Sequence, residues 1–241
     1  MSVIAATKAI KGITDSFSYF ASKGFSAEGV YRDWAACFAL AIANGSDPMH
    51  GETWERREKQ YLEIVHRYPA EAVREHFPRM CACLTEAFEK EPFEDYLGCL
   101  YMEMCGTAKS KKNGMGQCFT PIDVCRACAI TTLDNIDPNG TDTITINDPA
   151  VGGGAMLIAA CGYLKERGIN YQKRVRFYAN DLDVLCVHMS YIQLALLGAR
   201  AIVEHKDTIT QTCYDRFVTP MEALYPAFLL ADVKDATESK A

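Results

Sequence analysis

The chain has 241 residues, a net charge of −6, 49% hydrophobic residues and 23% charged residues. This composition is ordinary for a globular protein, and the acidic balance argues against a stand-alone nucleic-acid binder, which carries a basic surplus. No apolar run reaches the roughly 18 residues that cross a bilayer, and the first residues lack the apolar core of a secretory signal, so we expect a cytoplasmic protein without a membrane segment.

The N-terminal part is predicted to be helical. Residues 26–44 place Val30, Trp34, Phe38 and Ala41 at intervals of three and four, which is the period of a helix with one buried face. Further helices are expected over residues 51–68, 70–89 and 93–106. We therefore assign residues 1–106 to a helical N-terminal region.

The pattern changes after a polar, glycine-containing loop at residues 107–116. Three β-branched or aromatic stretches predict strands at 143–146, 175–180 and 199–205, with helices near 154–167 and 183–197 between them. Strands that alternate with helices of this length predict an α/β domain with a parallel sheet. We place this domain at residues 107–230 and expect residues 231–241 to be a disordered tail.

A glycine-rich turn follows the first predicted strand. Residues 148–156 read Asp-Pro-Ala-Val-Gly-Gly-Gly-Ala-Met, and Gly152 and Gly154 stand where the next helix begins. Glycine lets a ligand approach the backbone, and the first N–H groups of a helix bind negatively charged groups. A tight turn without a ligand remains the alternative. The dinucleotide fingerprint requires a sixth-position glycine, which is Leu157 here, so a nicotinamide-dependent oxidoreductase is disfavoured.

Acidic residues follow the second and third predicted strands. Asp181 is placed to accept hydrogen bonds from both hydroxyls of a ribose, while Asp183 is expected to cap the next helix. Asp207 follows the third strand and is a candidate acceptor for an adenine amino group, with Leu182 or Ile209 against the ring. These strand ends together predict a nucleoside-containing ligand.

The motifs resemble those of a known family. The segment at 116–121, GQCFTP, resembles the GQFFTP of modification subunits of type I restriction systems, and residues 148–156 resemble their DPACGSGG motif. YANDLD and the following helix and strand are similar to their acidic second-strand region. The resemblance extends over most of residues 28–226 to small phage- and plasmid-type N-6 DNA methylases, and Thr219-Pro220 belongs to it.

The resemblance implies a truncated class I (Rossmann-like) methyltransferase domain with S-adenosylmethionine as cofactor, in DNA methylation and restriction-modification. It assigns the cofactor's methionine end to Phe119, Thr120 and Pro121, the ribose to Asp181 and the adenine to Asp207. The amino acid part falls to the turn after the first strand: Asp148, Pro149, Ala150, Gly152 and Gly154.

The catalytic motif of adenine-N6 methyltransferases, (Asn/Asp)-Pro-Pro-(Tyr/Phe), is missing, because none of the nine prolines is followed by another proline. We therefore name no catalytic residue; the segment 217–220 is the nearest proline-containing candidate and lacks the acceptor side chain. With three predicted strands, the first would have an unpaired edge. We expect self-association or a partner subunit to cover it, and any DNA contact to come through that partner.

A metal site and an inactive protein are the two alternatives to consider. The eleven cysteines include a C-x-x-C pair, Cys125 and Cys128, but no second pair at zinc-finger spacing, so buried thiols are favoured over a metal site. The function predicted is cofactor binding, with methylation of adenine in DNA if a partner or an unrecognised loop completes the site. The rival is a catalytically inactive pseudo-methyltransferase that acts as an interaction module.

Overall fold

The computed structural model describes residues 2–104 and 119–225, and side chains from Ile10 onward. Its main helices are α1 (Ser2–Ser22), α2 (Ala27–Gly45), α3 (Glu52–Val65), α4 (Phe77–Lys90), α5 (Tyr96–Met104), α6 (Ile122–Leu133), α7 (Ala155–Glu166), α8 (Tyr171–Arg174) and α9 (Val184–Leu196). Its strands are β1 (Ile144–Asp148), β2 (Val175–Asp181), β3 (Ala201–Lys206) and β4 (Cys213–Val218). A π-helical turn, Ala72–His76, precedes α4, and residues 220–225 form a last helical turn.

The helical prediction for the N-terminal region is confirmed by α1 to α5. Helix α2 begins where the Ser26 side chain accepts a hydrogen bond from the N–H of Gly29, which satisfies one of the free donors of the first turn. Its apolar face buries Tyr31, Trp34 and Leu40 almost completely. Because α2 packs directly on α9, the helical region and the sheet region share one hydrophobic core.

The sheet has the order β1-β2-β3-β4. Strands β1, β2 and β3 are parallel, as predicted, whereas β4 pairs antiparallel with β3, with Val203 opposite Phe217. The expectation of three strands is therefore corrected to a mixed sheet of four in the described residues. The fourth was missed because a hairpin places it on β3, and only Phe217 in it is buried, so its sequence has no clear apolar alternation.

One face of the sheet carries the core. Buried side chains alternate along the strands, with Val175, Phe177 and Ala179 on β2 and Ala201 and Val203 on β3 facing the helices. Helices α7 and α9 connect successive parallel strands, and right-handed connections place both on this face. The N-terminal helices pack on this face through α9, and Arg32 of α2 reaches Asp183, which follows the carboxyl end of β2.

The opposite face and the outer edge of β1 differ from this core. Thr145 and Asn147 on β1 are exposed, and Tyr178, Glu204 and Lys206 line the same depression on that face. Within residues 119–225 and the N-terminal helices, β2 is the strand that pairs with β1, and no described strand lies on its other side. The unpaired edge expected from the sequence is present in the described part of the chain.

No helix within residues 2–104 or 119–225 is long and apolar enough to span a membrane. The predicted tail at 231–241 lies outside the described residues, as do residues 105–118, where the boundary between the two predicted regions falls.

Candidate active site

The glycine turn lies between β1 and α7. Gly152 and Gly154 have φ angles of 53° and 99°, which are left-handed values that residues with a side chain rarely adopt. A Cβ atom at Gly154 would lie 3.3 Å from Ser190 of α9, so this glycine also lets α7 approach α9 closely. Gly154 precedes α7 without a side-chain cap, which leaves the first N–H groups of the helix available to an anionic group.

Asp181 ends β2 and holds the glycine turn directly. Its Oδ2 accepts a hydrogen bond from the N–H of Gly152 at 2.9 Å, and its Oδ1 accepts one from the N–H of Asp183 at 2.9 Å. A carboxylate has about four acceptor positions, so two remain for a ligand. The side chain that the sequence assigned to a ribose therefore lies against the glycine turn.

Asp183 has the structural role predicted for it. Its carboxylate accepts a hydrogen bond from the N–H of Leu185 and so caps α9, and it forms an ion pair with Arg32 of α2 at 3.2 Å. The two aspartates therefore have different contacts: Asp183 caps the start of α9, while Asp181 contacts the glycine turn.

Asp148 lies at the end of β1. Its Oδ1 accepts a hydrogen bond from the N–H of Ala150, but partial burial and the nearby Asp181 carboxylate together raise the pKa of Asp148. Two carboxylates that repel each other at the edge of a sheet favour a ligand with positive charge. The geometry therefore suits a ligand that carries both a cationic group and a carboxylate.

Asp207 lies in the turn between β3 and β4. Its Oδ1 accepts hydrogen bonds from the N–H groups of Ile209 (2.8 Å) and Thr210 (3.1 Å), and these bonds lower the pKa of Asp207. Ile209, two residues after Asp207, is 94% exposed, and Leu182, whose carbonyl lies 3.1 Å from the His205 ring of β3, is 61% exposed. An acceptor followed by an exposed apolar side chain suits a heteroaromatic ring with an amino group.

Phe119 brings the segment before α6 to the same place. A Cβ atom at Gly152 would lie 3.2 Å from the ring of Phe119, which also packs on Tyr101 of α5. Thr120 and Pro121 follow at the start of α6, where the Thr120 carbonyl accepts a hydrogen bond from the Cys125 thiol. The structure therefore places Phe119 against the glycine turn, while residues 116–118 of the motif lie outside the described residues.

Two residues that sequence reasoning did not select tie the strand ends together. The Pro149 carbonyl accepts hydrogen bonds from the Asn180 side chain (3.0 Å) and the Thr208 hydroxyl (2.6 Å), and the Asn180 amide also donates to Thr208 (2.6 Å). They join the ends of β1, β2 and β3. Their positions next to Asp181 and Asp207 were the available signal, although pairing between strands cannot be deduced from adjacency alone.

The candidate at 217–220 lies at the other end of the sheet. Because β4 runs antiparallel, Thr219 is beside the start of β3, where its hydroxyl donates to the Ala199 carbonyl (2.7 Å) and accepts from the N–H of Ala201 (2.9 Å). Thr219 is fully buried. This loop is therefore a structural joint, about one strand length (six residues at about 3.3 Å each) from Asp207.

We expect Thr219→Val to lower the free energy of unfolding by about 1–3 kcal/mol, because it leaves the buried N–H of Ala201 without its acceptor. Urea unfolding followed by circular dichroism measures the loss. A variant as stable as the native protein would contradict the role of Thr219 as a joint.

The cysteines in the described residues are free thiols. Cys125 is buried in α6, where desolvation raises its pKa to about 11, and Cys128 is half-buried on the same helix. In the described ranges, no group of three or more metal-binding side chains comes together.

Comparison with known proteins agrees with this geometry. The N-6 DNA methylase family matches residues 93–223, a range that contains the glycine turn, Asp181 and Asp207 and exceeds half of the 241 residues. A search of curated proteins found no match. The chain therefore belongs to the N-6 DNA methylase family, a family of DNA methyltransferases.

Proposed function

We propose that this chain binds S-adenosylmethionine on a Rossmann-like class I methyltransferase domain and takes part in methylation of adenine in DNA. The observation that carries the proposal is the order of three consecutive strand ends. The glycine turn follows β1, Asp181 ends β2 and Asp207 follows β3. Ligands of parallel α/β sheets bind at this carboxyl edge.

Each part of the cofactor has a suitable partner at this edge. The carboxylate of its methionine end suits the uncapped first turn of α7, and the ribose hydroxyls suit the remaining acceptor positions of Asp181. The adenine suits the second oxygen of Asp207, with Leu182 and Ile209 against the ring. Burial, and to a lesser extent the nearby Asp181 carboxylate, raises the pKa of Asp148, and the cationic sulfonium and ammonium groups would offset both effects.

The methyl transfer itself requires groups that this chain does not supply in a recognisable motif. Bound S-adenosylmethionine would supply the methyl group for the adenine amino nitrogen, and the residues of this chain would hold it in place. In this reaction Asp181 and the glycine turn orient the donor. A partner would orient the flipped base, whose amino group needs acceptors near the sulfonium.

We further propose that a second copy of the chain covers the outer edge of β1. Residues 143–147 include no charged side chain and no proline, the features that usually protect an exposed edge. Two such strands can pair antiparallel about a twofold axis without placing like charges opposite each other. This proposal also supplies the missing neighbour of β1.

Light scattering coupled to size exclusion tests the second copy. We expect a dimer, and Thr145→Lys, which places like charges close to each other about the twofold axis, should shift the protein toward monomer. Leu224→Lys is the control, because Leu224 is exposed and follows β4, at the opposite edge of the sheet from β1. It should leave the dimer intact. A monodisperse monomer without a bound partner in cells would contradict the proposal.

Calorimetric titration with S-adenosylmethionine and S-adenosylhomocysteine tests the cofactor proposal, with NAD as the control ligand. We expect micromolar binding of both adenosyl compounds, as in the affinity range of small cofactors, and no binding of NAD. If the native protein binds neither adenosyl compound, the cofactor proposal fails. Binding without methyl transfer, even in the presence of DNA and every co-purifying partner, would favour the inactive interaction module.

A further inference from the structure

A buried polar cluster contacts the glycine turn at the Gly153 carbonyl. It consists of Asp95, at the start of α5, and Gln193, in α9. Asp95 is 4% exposed and Gln193 is fully buried. Neither residue stands out in the sequence, and the contacts proposed for the cofactor do not use them.

Gln193 uses every polar group of its side chain in this cluster. Its Nε2 donates to the Gly153 carbonyl (2.6 Å) and to Asp95 Oδ1 (2.8 Å), and its Oε1 accepts from the N–H of Leu97 (3.1 Å). Asp95 Oδ1 also accepts from the N–H of Gly98 at 2.9 Å. Gln193 therefore links α5 to one carbonyl group of the glycine turn.

The packing around Asp95 explains two glycines. A Cβ atom at Gly153 would lie 3.2 Å from both carboxylate oxygens of Asp95, and a Cβ at Gly98 would lie 2.1 Å from one of them. The middle glycine of the turn is thus required by the close approach of α5, whereas Gly152 and Gly154 are required by their φ angles. The Asp95 carboxylate therefore packs closely against the backbone of the glycine turn.

Side chains from two different elements, β2 and α9, therefore hold the glycine turn at two adjacent residues. Asp181 accepts from the N–H of Gly152, and Gln193 donates to the carbonyl of Gly153. These hydrogen bonds hold the 151–152 and 153–154 peptide groups, which flank the Gly152–Gly153 peptide, and the orientation of the turn sets where the first N–H groups of α7 point. Preorganised donors bind a ligand more tightly because no ordering cost remains to be met on binding.

We propose that Gln193 and Asp95 are positioning residues that hold the glycine turn in its ligand-binding conformation. Neither side chain touches the ligand; both act through Gly153. This proposal rests on the proposed function, since the ligand concerned is the adenosyl cofactor. It assigns to the N-terminal helices a part in cofactor binding, through α5.

The test compares Gln193→Met with Thr219→Val as the matched control. Methionine keeps the length of the side chain and removes its donors, while Thr219→Val breaks a buried hydrogen bond at the far end of the sheet. Calorimetry should show affinity for S-adenosylhomocysteine about tenfold or more weaker in Gln193→Met, equivalent to losing one buried hydrogen bond at about 1.4 kcal/mol per tenfold. The control should keep the native affinity although it is destabilised.

Asp95→Asn provides the conservative variant. Asparagine keeps an acceptor for Gln193 and for the N–H of Gly98, so it should retain the affinity that Asp95→Ala loses. Gln193→Met with native affinity and a stability loss like that of the control would overturn the proposal, because the cluster would then serve stability alone.

Hydrogen exchange of the unliganded full chain separates this proposal from the proposed function. Amides of residues 151–157 should exchange faster in Gln193→Met than in Thr219→Val if the cluster holds the turn. If the native protein binds no adenosyl compound, the proposed function fails and the exchange result still decides whether Gln193 orders the turn. Equal exchange in both variants would reject the positioning role.

Discussion

Asp181→Ala should reduce the affinity for S-adenosylmethionine by at least about 100-fold, because hydrogen bonds to a charged group contribute about 1.5–3 kcal/mol each and a ribose offers two. The variant also removes the acceptor of the Gly152 N–H, so the glycine turn loses one of its two supports. Calorimetric titration of native and variant proteins measures the difference. Asp181→Asn should show an intermediate loss, since it keeps the shape and one acceptor but removes the charge.

Asp183→Ala is the matched control for this experiment, since it removes the same side chain two residues away. Asp183 caps α9 and pairs with Arg32, so its removal should cost about 0.5–2 kcal/mol of stability, as for other N-caps, without abolishing cofactor binding. Equal losses of affinity in both variants would mean that the acidic cluster acts through the stability of α9. Native affinity in Asp181→Ala would remove this residue from the site.

Sequence reasoning could locate the strand ends because each depends on a local pattern. Each of the three predicted strands is a β-branched or aromatic run with an acidic residue close to its end, the first is also followed by the glycine cluster, and the parallel order follows from the helices between the strands. The capping role of Asp183 was likewise predictable, because an N-cap is decided by residues within one turn of the helix.

The remaining features depend on contacts between distant residues. Strand β4 owes its place to the turn at Asp207, and its single buried residue, Phe217, is covered by His188, Tyr191 and Arg57 from two helices. Gln193 and Asp95 are separated by 98 positions, and each alone resembles an ordinary polar residue in a helix. Nothing in their local sequence distinguishes a buried side chain from a solvated one.

Asp95→Asn should stabilise the protein at neutral pH, by about 1–3 kcal/mol, the usual cost of burying a poorly compensated polar group. Burial raises the pKa of Asp95, the hydrogen bonds from Gln193 and Gly98 oppose that rise, and the neighbouring Glu94 adds to it. In the part of the chain that the structure describes, no lysine or arginine forms an ion pair with Asp95. Asparagine keeps the acceptor without the charge.

The sign of the pH dependence follows from the raised pKa. An unfolded aspartate titrates near pH 3.9, so above that pH the unfolded chain releases a proton that the folded chain still holds. The stability of the native protein therefore falls as pH rises through the window between the two pKa values, and Asp95→Asn lacks this loss. Urea unfolding at about pH 4, 6 and 8 measures the free energy of unfolding of both proteins on either side of the unfolded pKa. The advantage of Asp95→Asn over the native protein should be small at the lowest pH and larger at the higher values.

Asp215→Asn is the control of opposite sign. Burial disfavours the charge of Asp215 as well, but the Arg56 guanidinium and the N–H of Arg216 outweigh burial and lower its pKa. Its carboxylate therefore stabilises the folded chain above the unfolded pKa, and asparagine should weaken the protein at neutral pH. If Asp95→Asn also destabilised the protein at neutral pH, the prediction that the buried charge of Asp95 costs stability would be wrong.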